Sequence, residues 1–202
     1  MPMSSKQLLE ESRLRRSYRK FLNEAVDIET VKDCILTAGT APSGANIQPW
    51  HFTVVTDPAV KQRIREQAEK VETEFYREKI SDKWREDLNA LKVDAQKPFL
   101  TEAPCLIVIF KEVYRIEEGK RIPNYYVSES CGIAIGLLIN ALRNAGYASL
   151  TYTPAPPTFL RELLERPENE TPVMVLAVGK KHPDYSLPPI SRKSLNEIAD
   201  FI

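Results

Sequence analysis

The stretch PCLIVIF, at residues 104–110, is a continuous apolar run that ends at Lys111. A strand buried on both faces has this unbroken pattern, because neither face needs polar residues. Residues 127–145 have the length of a helix and are apolar nearly all round, which is typical of a helix enclosed by other elements or by a partner chain. These two segments therefore predict the centre of one large hydrophobic core.

Shorter patterns on either side predict the elements around this core. Helices are expected at 5–14, 28–38, 58–79, 81–91 and 158–164, strands at 51–55, 149–153 and 173–178, and an amphipathic turn or two at 191–202. Because helices and strands do not alternate in a regular βαβ order, the pattern favours an α+β sandwich. The helices at 58–79 and 81–91 together resemble a mobile cover more than a core element.

The composition indicates one globular domain without a global charge. The chain has 202 residues, with 28 Lys plus Arg and 28 Asp plus Glu, so no net field gathers nucleic acid or an anionic membrane. The longest apolar run, 131–142, is interrupted by Asn140 and is shorter than the roughly 20 residues that cross a bilayer. We expect neither a nucleic-acid nor a membrane partner.

The cysteines and histidines argue against a disulfide framework and a metal site. Cys34, Cys105 and Cys131 are odd in number and lie in apolar surroundings, which indicates buried thiols in a reducing compartment. His51 and His182 are the only histidines, too few for a histidine metal cluster. Residues 1–7 lack the apolar core of a secretory signal, so a cytoplasmic protein is expected.

One polar set in the predicted cover has the chemistry of a clamp for a free amino acid. Glu72 and Tyr76 lie four residues apart, so on a helix they project from one face and could hold an ammonium group and a ring edge. Lys97 could then reach the carboxylate of the same ligand. The alternative is that Glu72 and Lys97 are solvated surface charges and Tyr76 is a half-buried core edge. We call Glu72, Tyr76 and Lys97 the amino-acid clamp.

A basic segment near the start, residues 13–19, suits a phosphate group. It contains Arg13, Arg15, Arg16 and Arg19 around Ser17, and guanidinium groups with a hydroxyl match phosphate oxygens. The alternative is a solvated helix end. Arg192, far along the chain, could join this segment only through the fold.

These motifs together resemble a known family. The sequence RRSYR at 15–19, AGTAPSGA at 38–45 and QPW at 48–50 is similar to the flavin-binding front half of the nitroreductase superfamily. Within it, Glu72, Tyr76, Trp84 and Lys97 match the pattern of the iodotyrosine deiodinase family, over a similarity that extends from about Arg15 to Ile198. Asn46, Gln48 and Tyr152 differ from the pattern common in animal members.

The resemblance implies a cofactor, a fold and roles for particular residues. The fold would be a nitroreductase-like α-β-α sandwich with a mixed, mainly antiparallel sheet, in a domain-swapped homodimer. FMN would be held by Arg15, Arg16, Ser17, Arg19, Pro42, Ser43, Gly44, Thr151, Tyr152, Thr153 and Arg192. The Thr153 hydroxyl would bond the reactive nitrogen of the flavin, and the Ala45 backbone N–H would meet the substrate phenolate.

The activity implied is reductive dehalogenation of mono- and diiodotyrosine to tyrosine and halide by a soluble, bacterial-type enzyme. It would be one FMN-binding domain, 1–202, with a lid at about 68–98. NAD(P)H, directly or through a reductase partner, would supply electrons. One alternative is a broad NAD(P)H-dependent nitroreductase or quinone reductase; another is a non-catalytic protein that binds flavin or halotyrosine.

Overall fold

A four-stranded antiparallel sheet is the middle layer of the fold. The computed structural model describes residues 4–78 and 94–202. Its sheet contains β1 (Trp50–Val55), β2 (Cys105–Glu112), β5 (Ala148–Tyr152) and β6 (Glu170–Gly179), in the order β1-β2-β6-β5. Each neighbouring pair is antiparallel. A separate hairpin pairs β3 (Tyr114–Glu117) with β4 (Lys120–Pro123).

Helices cover both faces of this sheet, which confirms the predicted α+β sandwich. They are α1 (Ser5–Arg13), α2 (Ile28–Gly39), α3 (Pro58–Glu78), α4 (Phe99–Glu102), α5 (Val127–Asn144) and α6 (Phe159–Leu163), with short 3-10 turns at Gly44–Asn46 and Leu195–Glu197. One face of the sheet packs with α3, α4 and α6. The other face packs with α2 and α5.

Strand β2 is the most buried strand, as the apolar run predicts. Every residue from Cys105 to Phe110 has no exposed surface. Leu106, Val108 and Phe110 belong to the core on the α3 side, and Cys105, Ile107 and Ile109 belong to the core on the α5 side. Side chains alternate between the faces of a strand, so this strand supplies both cores.

Helix α5 is enclosed by the rest of this chain on one side only. Its inner face buries Ala134, Leu138 and Leu142 completely, but Ile133 is 46% exposed. Gly132 and Gly136, on the same outer side, are exposed as well. One chain therefore encloses about half of this helix and leaves a stripe of small and apolar residues on the surface.

Two elements are absent from the sequence prediction. The hairpin β3–β4 turns at Glu118 and Gly119, which both have positive φ angles, as a tight two-residue hairpin requires; glutamate is an uncommon residue there. Helix α4 is a single turn, too short for a periodic signal. Within the ranges 4–78 and 94–202, no helix is both long and apolar enough to cross a membrane.

Candidate active site

Glu72 lies on the buried face of α3. Ile64 and Ala68, at the same four-residue spacing, have no exposed surface, and Glu72 is 7% exposed. Val71 and Phe75, the apolar residues one position before Glu72 and Tyr76, are half-buried. The inner face of α3 therefore carries a carboxylate, because a basic partner meets it there.

That partner is Lys97, which enters from the segment before α4. Its Nζ lies 3.3 Å from Glu72 Oε2, and both side chains are less than a tenth exposed. Its backbone N–H also donates to Glu69 Oε1 at 2.7 Å, and Glu69 pairs with Arg65 at 2.8 Å. Two carboxylates of α3 thus fix the backbone and the side chain of Lys97.

Tyr152, at the end of β5, completes this buried group. Its hydroxyl donates to Glu72 Oε1 at 3.0 Å. Its ring lies edge-on to Phe99, with ring centroids 5.4 Å apart, and the Lys97 Nζ lies 5.8 Å from its centroid. Sequence reasoning assigned Tyr152 to the flavin alone and missed this contact, because no local pattern relates β5 to α3.

The rest of the predicted lid is only partly described. Tyr76 belongs to α3 one turn after Glu72, but its side chain lies outside the described residues. The same holds for the predicted helix 81–91 and for Trp84. Their roles stay predictions.

The fold brings Arg192 to the basic segment, as the phosphate hypothesis requires. Burial lowers the pKa of Arg15, and the positive charges of Arg192 and Arg16 lower it further. Arg16 also donates to the carbonyl of Pro188, which ties the C-terminal segment to this place. Like charges held together in this way create a site that an anion stabilises. We call Arg15, Arg16 and Arg192 the arginine cluster.

A cavity of about 380 Å³ adjoins the arginine cluster. Arg15 and Arg16 line it with Arg143, Lys181 and Glu11; Arg143 pairs with Glu11 at 2.6 Å, so the positive charge of the wall comes mainly from Arg15, Arg16 and Lys181. Ser17 and Arg19, predicted to share this role, are half-buried and do not belong to the lining. Ser17 instead forms a parallel bridge with Ser149 of β5.

That bridge places the basic segment beside the strand predicted to meet the flavin. The Tyr18 N–H donates to the Ser149 carbonyl at 3.3 Å. Thr151 and Thr153 follow on the same strand and its end, and both are exposed. The Thr153 hydroxyl donates to the Val173 carbonyl at 3.4 Å, a long bond that a better acceptor could replace.

The 42–48 loop, predicted to shape the flavin bed and to meet the phenolate, has an unusual backbone. Ala45, Asn46 and Gln48 have φ angles of 48°, 56° and 53°. Such conformations are costly for residues other than glycine and are concentrated at functional sites. The Gln48 N–H donates to Ser43 Oγ at 2.9 Å, which fixes the loop, and Ala45 is exposed.

Gly44 packs closely against two tyrosine rings. A Cβ at Gly44 would lie 3.1 Å from the rings of both Tyr125 and Tyr126. These tyrosines stand at the start of α5 and are themselves exposed. The loop therefore packs against α5, on the opposite side of the sheet from the amino-acid clamp.

A family model, the nitroreductase family, matches residues 13–180. The chain belongs to the nitroreductase family. It is 46% identical to the iodotyrosine deiodinase of Haliscomenobacter hydrossis over 180 residues, covering 89% of this chain and 81% of that protein. It is 40% identical to the iodotyrosine deiodinase of Nematostella vectensis over 201 residues, covering 98% and 76%.

Solved structures agree with these relatives. The crystal structure of oxidized iodotyrosine deiodinase bound to FMN and 3-iodo-L-tyrosine has a TM-score of 0.81 and 30% identity, covering 96% of this chain and 100% of that one. A BluB-like flavoprotein from Clostridium difficile 630 has a TM-score of 0.77 and 26% identity over the full length of both chains. The family resemblance read from the motifs is confirmed.

Proposed function

We propose that this protein is an FMN-dependent oxidoreductase that removes iodine reductively from mono- and diiodotyrosine. The observation that carries the proposal is the buried pair of Glu72 and Lys97, 3.3 Å apart. A buried ion pair is costly unless its geometry is good or it has a use. Its two charges are the complements of the ammonium and carboxylate of an amino acid, and the relatives named above are iodotyrosine deiodinases.

The arginine cluster fits the phosphate of FMN. Arg15, which the charges of Arg16 and Arg192 oppose, gains from a dianion, and the exposed residues Thr151 and Thr153 lie on the adjoining strand and at its end. Ser17, Arg19 and Tyr152 would complete the contacts on this side, and Pro42, Ser43 and Gly44 would form the bed of the ring. Bound FMN would supply the two electrons that, with one proton, replace the C–I bond by a C–H bond and release iodide.

The substrate would be recognised at its phenol as an anion. A tyrosine phenol has a pKa of about 10, and ring iodine lowers it by withdrawing charge. Halotyrosine therefore binds as phenolate near neutral pH, whereas tyrosine, the product, is neutral. The N–H of Ala45, an exposed residue on a loop held in a strained conformation, would donate to that oxygen as in an oxyanion site.

The other end of the substrate would replace one ion pair by two. Glu72 takes the ammonium and Lys97 takes the carboxylate, so the buried charges remain neutralised throughout. Tyr76 follows Glu72 on α3 and would cover the ring, with the lid at about 68–98 closing over the single domain. Closure excludes water and strengthens every charged contact inside.

A second copy of the chain would complete the site. The 42–48 loop contacts the residues that begin α5, and α5 lies on the other face of the sheet from α3, which carries Glu72; a second copy would bring a loop and an amino-acid clamp to one ligand. The stripe at Gly132, Ile133 and Gly136 and the tail residues Ile198 and Phe201 are exposed. A domain-swapped homodimer buries these surfaces and brings the loop of one copy to the amino-acid clamp of the other.

The cysteines suit a reducing cytoplasm, which would also supply NAD(P)H as the electron source. The three cysteines are free and buried, and burial raises the pKa of the Cys105 thiol to about 12; such thiols fit the reducing cytoplasm. NAD(P)H, directly or through a reductase, would reduce the flavin.

The test is a titration of diiodotyrosine into the FMN-loaded protein, followed by a turnover assay with dithionite. Flavin fluorescence should change saturably, and tyrosine and iodide should be released. NAD(P)H oxidation with nitroaromatics and no response to diiodotyrosine would instead identify a nitroreductase. Tight binding without iodide release would identify a binding protein.

A further inference from the structure

The hydrogen bond from Tyr152 to Glu72 can persist when a ligand replaces Lys97 as the ionic partner of Glu72. Glu72 presents two oxygens: Oε2 faces Lys97 at 3.3 Å, and Oε1 accepts the Tyr152 hydroxyl at 3.0 Å. When a ligand draws Lys97 to its own carboxylate, the bond at Oε1 remains. Glu72 then keeps a fixed partner while its second oxygen changes from lysine to the ligand.

The position of Tyr152 is rigid enough for that task. Its backbone belongs to β5, which pairs with β6 up to Tyr152 opposite Val175. Its ring packs edge-on against Phe99, which is 6% exposed. A tyrosine has two side-chain torsions against three in glutamate, so the flexible carboxylate is oriented by the stiffer hydroxyl.

We propose that Tyr152 is a positioning residue that orients the Glu72 carboxylate toward the ammonium group of an amino-acid ligand. The inference rests on the proposed function, since it concerns the same ligand. It assigns the Tyr152 hydroxyl to the substrate end of the site, whereas the family resemblance assigned the residue to the flavin. Tyr152 would thereby join the strand that meets the cofactor to the helix that grips the substrate.

The test measures two dissociation constants, that of FMN for the FMN-free protein and that of diiodotyrosine for the FMN-loaded protein. Both are measured for wild type, Tyr152→Phe, Glu72→Gln and the double variant. Tyr152→Phe keeps the ring and removes the hydroxyl. Tyr114→Phe is the matched control. Tyr114 begins the β3–β4 hairpin, and its hydroxyl also donates to a glutamate, Glu168, at 3.4 Å.

A hydrogen bond to a buried charged group predicts that Tyr152→Phe weakens diiodotyrosine binding about tenfold. FMN binding should change less than about twofold, because Tyr152→Phe keeps the ring and backbone that would contact the flavin and removes only the hydroxyl, which acts through Glu72. In the Glu72→Gln background the same substitution should cost much less, since positions that act through one group are not additive. Tyr114→Phe should match wild type for both ligands.

Several results would overturn the inference while the proposed function stands. These are wild-type affinity in Tyr152→Phe, an equal loss of FMN and diiodotyrosine, or additive losses in the double variant. An equal loss would mean that Tyr152 acts through the flavin or through the fold. A wild-type protein that does not bind diiodotyrosine would remove the proposed function and the inference with it.

Discussion

The amino-acid clamp and the arginine cluster are both charged, but they differ in charge balance. In the amino-acid clamp, Glu72 and Lys97 neutralise each other in a buried place. In the arginine cluster, the charges that act on Arg15 are those of Arg16 and Arg192, and both lower its pKa. One region is balanced, and the other is an unbalanced concentration of positive charge.

The difference indicates what each region binds. A balanced buried pair can exchange its partners for a zwitterion without a change in net charge, so its ligand should carry both signs. An unbalanced cluster gains most from an anion of high charge, such as a phosphate dianion. The two regions should therefore respond differently to mutation and to salt.

The largest effect is expected on stability, from removal of Lys97. Lys97→Met keeps an apolar stem but leaves the Glu72 carboxylate buried without its cation. Breaking a buried pair in this way should lower the free energy of unfolding by about 3–5 kcal/mol, measured by urea unfolding of the FMN-free protein.

The control for Lys97 is Lys32, whose pair with Glu29 is 2.7 Å long but whose side chains are mostly exposed. Lys32→Met should cost less than about 1 kcal/mol. The double variant Glu72→Gln/Lys97→Met should recover part of the loss. Similar small losses at both lysines would show that the amino-acid clamp is not a buried pair in solution.

Next in size is the effect of Glu72→Gln on ligand affinity. The amide keeps the shape but loses the charge that meets the ammonium, so diiodotyrosine binding should weaken by about 2–3 kcal/mol, measured by quenching of flavin fluorescence. FMN affinity serves as the internal control. Unchanged affinity for diiodotyrosine would exclude Glu72 from the amino-acid clamp.

The arginine cluster should show the reverse selectivity. Arg16→Met removes a charged donor and should weaken FMN binding by about 2 kcal/mol, roughly thirtyfold in Kd, in equilibrium titrations of the FMN-free protein. Arg121→Met is the matched control, because Arg121 of β4 forms an exposed pair with Glu168, away from the arginine cluster. Equal losses in both variants would point to a general effect of charge.

The smallest effect separates the two regions by salt alone. Raising NaCl from about 0.05 to about 0.5 M shortens the range of electrostatic interactions severalfold. FMN affinity should fall measurably. Diiodotyrosine affinity should change by less than about 0.5 kcal/mol, because the zwitterion replaces a buried ion pair without a change in net charge, and salt screens buried charges poorly. Equal salt dependence of the two affinities would contradict the comparison.

The sequence predicted the layers of the fold better than the interior of the site. Long apolar segments identified β2 and α5, because a segment that is buried along its whole length consists mainly of apolar residues. The ion pair of Glu72 and Lys97 was not predicted, because the two residues are 25 positions apart and helical periodicity cannot represent such a contact. Charge pairs across distant segments are set by the fold.

The same reasoning explains Tyr152 and Arg192. Arg192 was expected near Arg15 only through the family resemblance, and in the structure its positive charge lowers the pKa of Arg15, after the larger effect of burial. The Tyr152 hydroxyl reaches Glu72 across 80 positions, and no motif includes that contact. Residues that act through a tertiary contact become visible only in the structure.

The most direct test of the account is a crystal structure of the FMN-loaded protein with diiodotyrosine. The account predicts that the ligand ammonium contacts Glu72, that its carboxylate contacts Lys97, and that the iodinated ring lies over the flavin. It also predicts that the Tyr152 hydroxyl still donates to Glu72. A ligand whose amino-acid group contacts neither residue, with Glu72 and Lys97 still paired as in the free chain, would contradict it.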